Sequence, residues 1–180
     1  MNYKQSLGKE FLHSVVKRLG YYKEPGDKTF TVLNTNDFHF TPNEESNSIA
    51  IIIQHVSGNM LSRWTNFLTT DGEKEWRHRD TEFEIKEASK EQLIAMWEKG
   101  WACCLSAIKS LSEDDLLKTI YIRGEALSVV DAINRQLAHY PYHVGQIIYV
   151  AKMIKNEQWE SLSIPKNKSS EFNKTIQPGK

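Results

Sequence analysis

Apolar residues recur every three to four positions in four separate stretches of the chain. This spacing places them on one side of an α-helix, so each stretch predicts an amphipathic helix of roughly 20 residues. The first stretch begins near Tyr3, and its helix is expected to stop at Pro25 and Gly26. The second extends from Ser48 to Leu68 and ends before "TTDGEK".

Helix-start signals introduce the other two helices. Ser89 is followed three residues later by Gln92, which forms a capping box and opens the third helix. Ser128 and Asp131 have the same spacing and open the fourth helix, which extends to about Lys155.

The segments between the helices differ in character. Residues 29–48 indicate a connection that allows a short strand, because β-formers are mixed with Asn, Asp and Pro. Residues 71–88 are densely charged but carry aromatic side chains, which is typical of a long ordered loop. Residues 119–128, "TIYIRGEALS", alternate briefly and turn at Gly124, so they predict a small strand or hairpin.

Four amphipathic helices without a strong strand series predict an all-α fold. We expect a four-helix bundle with long connections and a short β-hairpin. A chain of 180 residues suits one domain with a sizeable core. The domain is expected to span residues 1–160, and residues 161–180 form a polar C-terminal tail whose end is frayed.

Charge and cysteine usage narrow the function classes. Lys+Arg and Asp+Glu are balanced at 23 each, so the chain lacks the positive field typical of proteins that bind nucleic acids or anionic membranes. We therefore expect neither partner, and no stretch has the pattern of a signal peptide or membrane span.

The two cysteines, Cys103 and Cys104, are adjacent in the sequence, where a mutual disulfide would be strained. Their usage favours a reducing, cytoplasmic location. Two small buried hydrophobes are a better interpretation of this pair than reactive thiols.

Three histidines stand among apolar residues. His139 and His143 lie four positions apart in the fourth predicted helix, so both rings can turn toward one ion. His55, in the second predicted helix, is flanked by isoleucines and valine. A polar ring in apolar surroundings costs desolvation energy, which a bound metal would offset. A core histidine bonded to a carbonyl or hydroxyl is the better interpretation of each ring alone, whereas the three together favour metal.

The remaining histidines lack this combination. His13 lies within the first helix, and His39 and His78 lie in connections, so all three are interpreted as solvated or as local hydrogen-bond formers. Pro141 separates the paired histidines and is expected to kink the fourth helix, which would re-aim their rings. A proline that the helix merely tolerates explains the sequence equally well.

The stretches "NSIAIIIQHVSGNMLSRW" and "AINRQLAHYPYHVGQIIYVAK" resemble the DinB/YfiT-like superfamily over nearly the whole chain. An uncharacterised bacterial branch of it also shows the "WR-x-RD-x-EFE" loop. The resemblance implies a four-helix bundle, commonly dimeric, with a divalent metal held by one histidine of the second helix and an H-x-x-x-H pair of the fourth. His55, His139 and His143 occupy those positions.

The same resemblance implies a range of functions. Members carry out metal-dependent transfer or isomerisation with low-molecular-weight thiols such as bacillithiol and mycothiol, and many are described as metal-dependent hydrolases. We therefore expect a homodimer that acts on a small molecule, with Zn, Ni, Mn or Fe activating a thiol for S-transfer or a water for hydrolysis. A non-catalytic metal-stabilised or ligand-binding bundle is the alternative, and a dimer with packed histidines and no metal is a third.

Several polar residues share the helical faces of the proposed ligands. Asn59 follows His55 by one turn, Arg135 precedes His139 by one turn, and Gln146 follows His143 by three residues. These three are candidates for hydrogen bonding to the ligands or for binding an anion. Ordinary hydrogen bonds at the surface or between helices explain them equally well.

Arginines near the second helix and the charged loop are further candidates. Arg63, Arg77 and Arg79 could meet acidic groups of a thiol cofactor. Ion pairs with neighbouring acids are the better explanation of these arginines. The candidate acids are Asp80, Glu82 and Glu84.

Overall fold

The structure, a computed structural model, describes residues 6–84 and 87–175. The described helices are α1 (Leu7–Thr31), α2 (Thr35–His39), α3 (Ile49–Trp64), α4 (Lys90–Lys109), α5 (Val129–Lys155) and α6 (Ser169–Thr175). Strands β1 (Thr119–Ile122) and β2 (Glu125–Ser128) form an antiparallel hairpin. Short 3₁₀-helices occupy Arg79–Phe83, Glu113–Asp115 and Asn156–Gln158. The predicted all-α bundle with a small hairpin is confirmed.

Helices α1, α3, α4 and α5 surround a core rich in aromatic side chains. Trp97 and Trp101 of α4 pack edge-to-face, and Trp101 also packs against Tyr140 of α5. All three side chains are almost fully buried. Helix α3 is the central helix, because fourteen of its sixteen residues are buried. Its polar residues therefore lie inside the bundle.

The local signals for helix starts and for the hairpin are confirmed. Ser89 and Gln92 form the expected capping box at the start of α4. The side chain of Ser128 accepts a hydrogen bond from the Asp131 amide at the start of α5. Between the strands Gly124 adopts a φ of +75°, a left-handed conformation that glycine favours.

The predicted end of the first helix is wrong, because α1 continues through Pro25 and Gly26 to Thr31. Contacts with α4 stabilise this extra turn. The indole N–H of Trp97 donates to Asp27 Oδ1 at 2.7 Å. A Cβ at Gly26 would lie 2.8 Å from the Trp97 ring, so the glycine allows the two helices to approach closely. Tertiary packing thus outweighs the local preference of Pro-Gly to end a helix.

Other boundaries also differ from the predictions. Helix α3 ends at Trp64, four residues before Leu68, and Asn66 just beyond it has a φ of +52°. Residues 29–48 contain the end of α1 and the short helix α2, and the described residues there contain no strand. Helix α5, by contrast, spans Val129–Lys155 across Pro141, which confirms the predicted bounds of the fourth helix. The expected helix start near Tyr3 and the frayed end, residues 176–180, lie outside the described residues.

The predicted loop and the cysteines have clear places in the fold. Residues 71–88 contain the 3₁₀-helix Arg79–Phe83, which packs on α3, while residues 85–86 lie outside the described residues. Both cysteines are free, and burial raises the pKa of the Cys104 thiol well above its usual value. No helix in the described part of the chain is long and apolar enough to cross a membrane.

Candidate metal centre

Three histidine rings meet between α3 and α5. His55 comes from α3, and His139 and His143 come from successive turns of α5. One ring nitrogen from each residue lies within 4.8 Å of the other two, so the set could hold a metal ion. The Nε2 atoms of His139 and His143 are 3.0 Å apart. The structure therefore brings together all three histidines that the sequence singles out.

Glutamine side chains contact the Nδ1 atoms of both α5 histidine rings. Gln136 Oε1 lies 3.3 Å from His139 Nδ1, and Gln146 Oε1 lies 2.8 Å from His143 Nδ1. With the amides assigned in this orientation, each oxygen accepts from a protonated Nδ1, so each Nε2 presents a lone pair. Two lone pairs facing each other over 3.0 Å repel unless a cation or a proton lies between them.

Burial disfavours the positively charged form of a ring, which carries a second proton. It lowers the pKa of His139 to about 3, and the neighbouring His143, His55 and two arginines add to the shift. Burial also lowers the pKa of His143, against the opposing effect of its hydrogen bond with Gln146. Both α5 rings are therefore neutral at pH 7. Neutral imidazole is the form that coordinates a divalent cation, so the donor chemistry fits a metal.

A buried carboxylate holds the third ring. Glu82, from the 3₁₀-helix that packs on α3, has its Oε2 3.0 Å from His55 Nδ1. Arg77 binds the same carboxylate in bidentate fashion, with Nε donating to Oε1 at 2.8 Å and Nη2 to Oε2 at 2.9 Å. Burial raises the pKa of Glu82, but the hydrogen bonds with His55 and Arg77 outweigh it and leave the pKa below its ordinary value. An ionised Glu82 thus fixes the His55 ring with its Nε2 free.

Only a glycine leaves room for this carboxylate beside α3. A Cβ at Gly58, three residues after His55, would overlap the Oε1 atom of Glu82. The absence of a side chain at that position allows Glu82 to reach between the loop and the helix. The position of the His55 ring therefore depends on three separate features: the helix, the glycine and the loop acid.

An open cavity of about 480 Å³ adjoins the histidines. His55 and His139 contribute to its wall, and so do Asn59 and Arg135. Asn59 Oδ1 accepts a hydrogen bond from the buried hydroxyl of Tyr140 at 3.1 Å. A small molecule could therefore reach the histidine cluster from solvent through this cavity.

The structure divides the predicted neighbours of the ligands into two groups. Gln146 contacts a ring directly. Asn59 and Arg135 line the cavity and, among the described contacts, make no hydrogen bond to a ring. Gln136 and Glu82, which do contact rings, were not predicted in that role. Gln136 could have been found, because it stands three residues from its histidine just as Gln146 does.

The histidines interpreted as peripheral lie away from the cluster. His13 and His78 are exposed. The His39 ring lies with Nε2 2.8 Å from the Ala88 carbonyl oxygen, just before α4. His39 thus forms a hydrogen bond across the fold and belongs to no metal-binding group among the described residues.

The predicted arginine pairs are confirmed in part. Arg77 pairs with Glu82, as described above, and Arg79 lies 3.9 Å from Asp80. Arg63 instead donates to Glu73 at 2.9 Å and to the Gly72 carbonyl oxygen. The described contacts include no ion pair of an arginine with Glu84.

Residues 6–168 match the model of a protein family described as "Protein of unknown function (DUF1572)". A comparison with curated proteins finds no match. The family match covers the whole bundle, including α5 and the three histidines, together with the start of the segment that follows it. The chain belongs to this family of unknown function.

Proposed function

We propose that this protein is a metal-dependent enzyme of the DinB/YfiT-like superfamily in which His55, His139 and His143 bind one divalent ion. The observation that carries the proposal is the orientation of the rings. Each Nδ1 contacts a side-chain oxygen, and the Nε2 atoms of the α5 pair face each other at 3.0 Å. Zn, Ni, Mn and Fe all accept imidazole ligands, and the choice among them depends on availability.

The ligand set favours activation of a bound nucleophile. Three neutral imidazoles leave the full charge of a divalent ion in place, and such an ion lowers the pKa of a coordinated thiol or water. The roles of the protein are to hold the rings neutral, to orient them through Gln136, Gln146 and Glu82, and to leave a cavity for a small substrate. Three protein ligands, unlike four, leave room for substrate.

The cavity favours a thiol over water as the nucleophile. None of the described residues that line it is acidic. The buried carboxylate of Glu82 contacts His55, and both of its oxygens are engaged by Arg77 and His55. The site therefore offers no free carboxylate to act as a general base. A thiol, with a pKa of about 8.5 in water, needs less assistance to ionise than water does.

A low-molecular-weight thiol of the bacillithiol type is accordingly the proposed nucleophile. In the proposed reaction the thiol loses its proton to solvent, its sulfur forms a bond to an electrophilic carbon of the second substrate, and the leaving group on that carbon departs with the electrons of the broken bond. Hydrolysis by an activated water is the less favoured reaction of the same site. We further propose that the protein acts as a cytoplasmic homodimer on small molecules, without nucleic-acid or membrane partners. Sedimentation velocity of the purified protein tests the dimer.

A non-catalytic bundle that binds a metal or a small ligand is the competing proposal. It is favoured by the absence of an acidic side chain from the described cavity lining, since a general base would need one. The two proposals differ in turnover.

Thioether formation with a chromogenic electrophile distinguishes the two proposals. Bacillithiol and mycothiol are supplied in turn to wild type, His139→Ala and the exposed control His78→Ala, each first stripped of metal and then reloaded. We expect turnover that needs both metal and thiol, is lost in His139→Ala and is retained in His78→Ala. Metal binding without turnover for any thiol would favour the non-catalytic bundle.

A further inference from the structure

Arginines are concentrated at one place in this molecule. The chain has six arginines, and five of them line the cavity beside the histidines. These five are Arg63, Arg77, Arg79, Arg123 and Arg135. None of the lysines that the structure describes lines it, although lysine is the commoner basic residue of the chain. Because the chain has no net charge, this cluster is a local positive region of an otherwise balanced protein.

The deeper arginines share two carboxylates as ion-pair partners. Glu73 is shared by three guanidinium groups, with Arg63 at 2.9 Å, Arg123 at 3.1 Å and Arg77 at 3.7 Å. Glu82 pairs with Arg77 and also holds His55. Three guanidinium groups therefore share two carboxylates.

Two buried guanidinium nitrogens lack acceptors. Arg63 Nε and Arg77 Nη1 have no hydrogen-bond partner among the described residues. The Arg63 and Arg77 side chains are only 6% and 2% exposed, so bulk water does not satisfy these donors. Burial lowers the pKa of Arg63, against the effect of its pair with Glu73. The inner wall thus has hydrogen-bond donors that the described residues do not satisfy.

The outer arginines are only weakly paired with carboxylates. Arg79 and Arg135 are each half-exposed, and their nearest carboxylates, Asp80 and Glu125, lie 3.9 Å away. That distance is beyond hydrogen-bond range, and neither guanidinium donates a hydrogen bond within the described ranges. Asp80 and Glu125 are themselves largely exposed, so they hold the arginines only weakly. Arg79 also lies over the Phe83 ring, with its Cζ atom 5.1 Å from the ring centroid, whereas structural pairing does not account for Arg135.

Guanidinium groups match one class of ligand in particular. Their planar array of N–H donors binds carboxylate and phosphate oxygens in pairs, whereas lysine provides only a point charge. We infer that this cavity recognises a compact anionic group, a carboxylate or a phosphate, on the molecule that it binds. Only the further step, that this molecule is the substrate or thiol of the metal centre, rests on the proposed function.

Calorimetric titration with malonate and with inorganic phosphate tests the inference. The titrations use full-length, metal-loaded protein in a buffer free of both anions. The proteins are wild type, Arg135→Gln and Arg18→Gln, because Arg18 is the one arginine outside the cavity and is exposed. Arg18→Gln changes the net charge identically. The anion that binds more tightly identifies the group as a carboxylate or a phosphate.

We expect saturable binding of at least one anion to the wild type. Loss of a charge-assisted contact in Arg135→Gln should weaken it roughly tenfold, whereas Arg18→Gln should stay within about twofold of wild type. A matching weakening in Arg79→Gln would place the anion between the two outer arginines. Absence of saturable binding, or equal weakening in Arg18→Gln and Arg135→Gln, would overturn the inference.

Metal content, measured by mass spectrometry on the same samples, separates this inference from the proposed function. Full metal with no anion binding overturns only the arginine site. Anion binding by a protein that retains no metal supports the arginine site and contradicts the metal centre.

Discussion

Replacement of Glu82 by glutamine is the sharpest perturbation of the ligand geometry. The Glu82 carboxylate accepts from three donors: Arg77 Nε at 2.8 Å, Arg77 Nη2 at 2.9 Å and His55 Nδ1 at 3.0 Å. An amide of the same shape has one accepting oxygen and one donating nitrogen. Whichever way it is oriented, the amide nitrogen of Glu82→Gln faces a donor.

The expected losses of stability and of metal affinity in Glu82→Gln follow from these contacts. Removing one partner of a buried ion pair costs about 3–5 kcal/mol, since the other charge stays buried. Glu73 remains 3.7 Å from Arg77 Nη1 and compensates in part, so we expect a loss near the lower end, about 3 kcal/mol. Metal affinity should fall about 10–100-fold, because His55 loses the acceptor that fixes its ring.

Two assays measure these effects on one set of proteins. Urea unfolding followed by circular dichroism gives the free energy of unfolding, and a chelator competition titration gives the metal dissociation constant. Glu84→Gln is the control, because it makes the same chemical change two residues away on an exposed side chain. A Glu82→Gln protein with metal affinity within twofold of wild type would refute the orienting role, even if its stability fell.

Two further predictions concern the fold. Gly26→Ala should destabilise the protein by about 1–3 kcal/mol, since its Cβ would lie 2.8 Å from the buried Trp97 ring. The control Gly20→Ala has open space around its Cβ and should stabilise α1 by up to about 1 kcal/mol. Equal effects of the two substitutions in urea unfolding would contradict this prediction. Burial raises the pKa of Asp37, but the hydrogen bonds from Lys155 and from the Asn34 amide, together with the charges of Lys155 and Lys90, outweigh it and lower the pKa below 3.8. The ionised form of Asp37 therefore stabilises the fold above pH 3.8. Asp37→Asn should cost about 2 kcal/mol at pH 7, and the deficit should shrink as the pH falls below 3.8; a deficit independent of pH would contradict the ion pair.

The fold was largely predictable because its signals are local. Capping residues such as Ser89 and Ser128 act within one turn of the chain, and the hairpin turns at a glycine with positive φ. The errors arose where the end of a helix depends on residues that are distant in sequence. Nothing near Pro25 in sequence indicates that Trp97, on another helix, packs on the following residues and extends α1.

The ligand set was predictable for a similar reason. His139 and His143 share a helix face, and His55 stands in an apolar run, so spacing and context suffice to single them out. Glu82 could not be assigned to His55 in this way, because a loop residue carries no periodicity that fixes its direction. Its contact depends on how the Arg79–Phe83 turn packs on α3 and on the space beside Gly58.

The arginine cluster could not be predicted from the sequence either. Arg63 lies on α3, Arg123 in the hairpin turn and Arg135 on α5, so the positions are far apart in sequence. Sequence reasoning pairs such residues with the nearest acids along the chain. Only the folded structure shows that five of them line one cavity and that three of these five share Glu73 and Glu82 as ion-pair partners.

The metal content of purified protein tests the central claim most directly. Wild type, His139→Ala and the control His39→Ala are expressed in medium with Zn, Ni, Mn and Fe, dialysed, and analysed by mass spectrometry. The account predicts close to one equivalent of a single divalent metal in wild type and in His39→Ala, and a loss of most of it in His139→Ala. Equal metal in wild type and His139→Ala, whether near zero or near one equivalent, would contradict it.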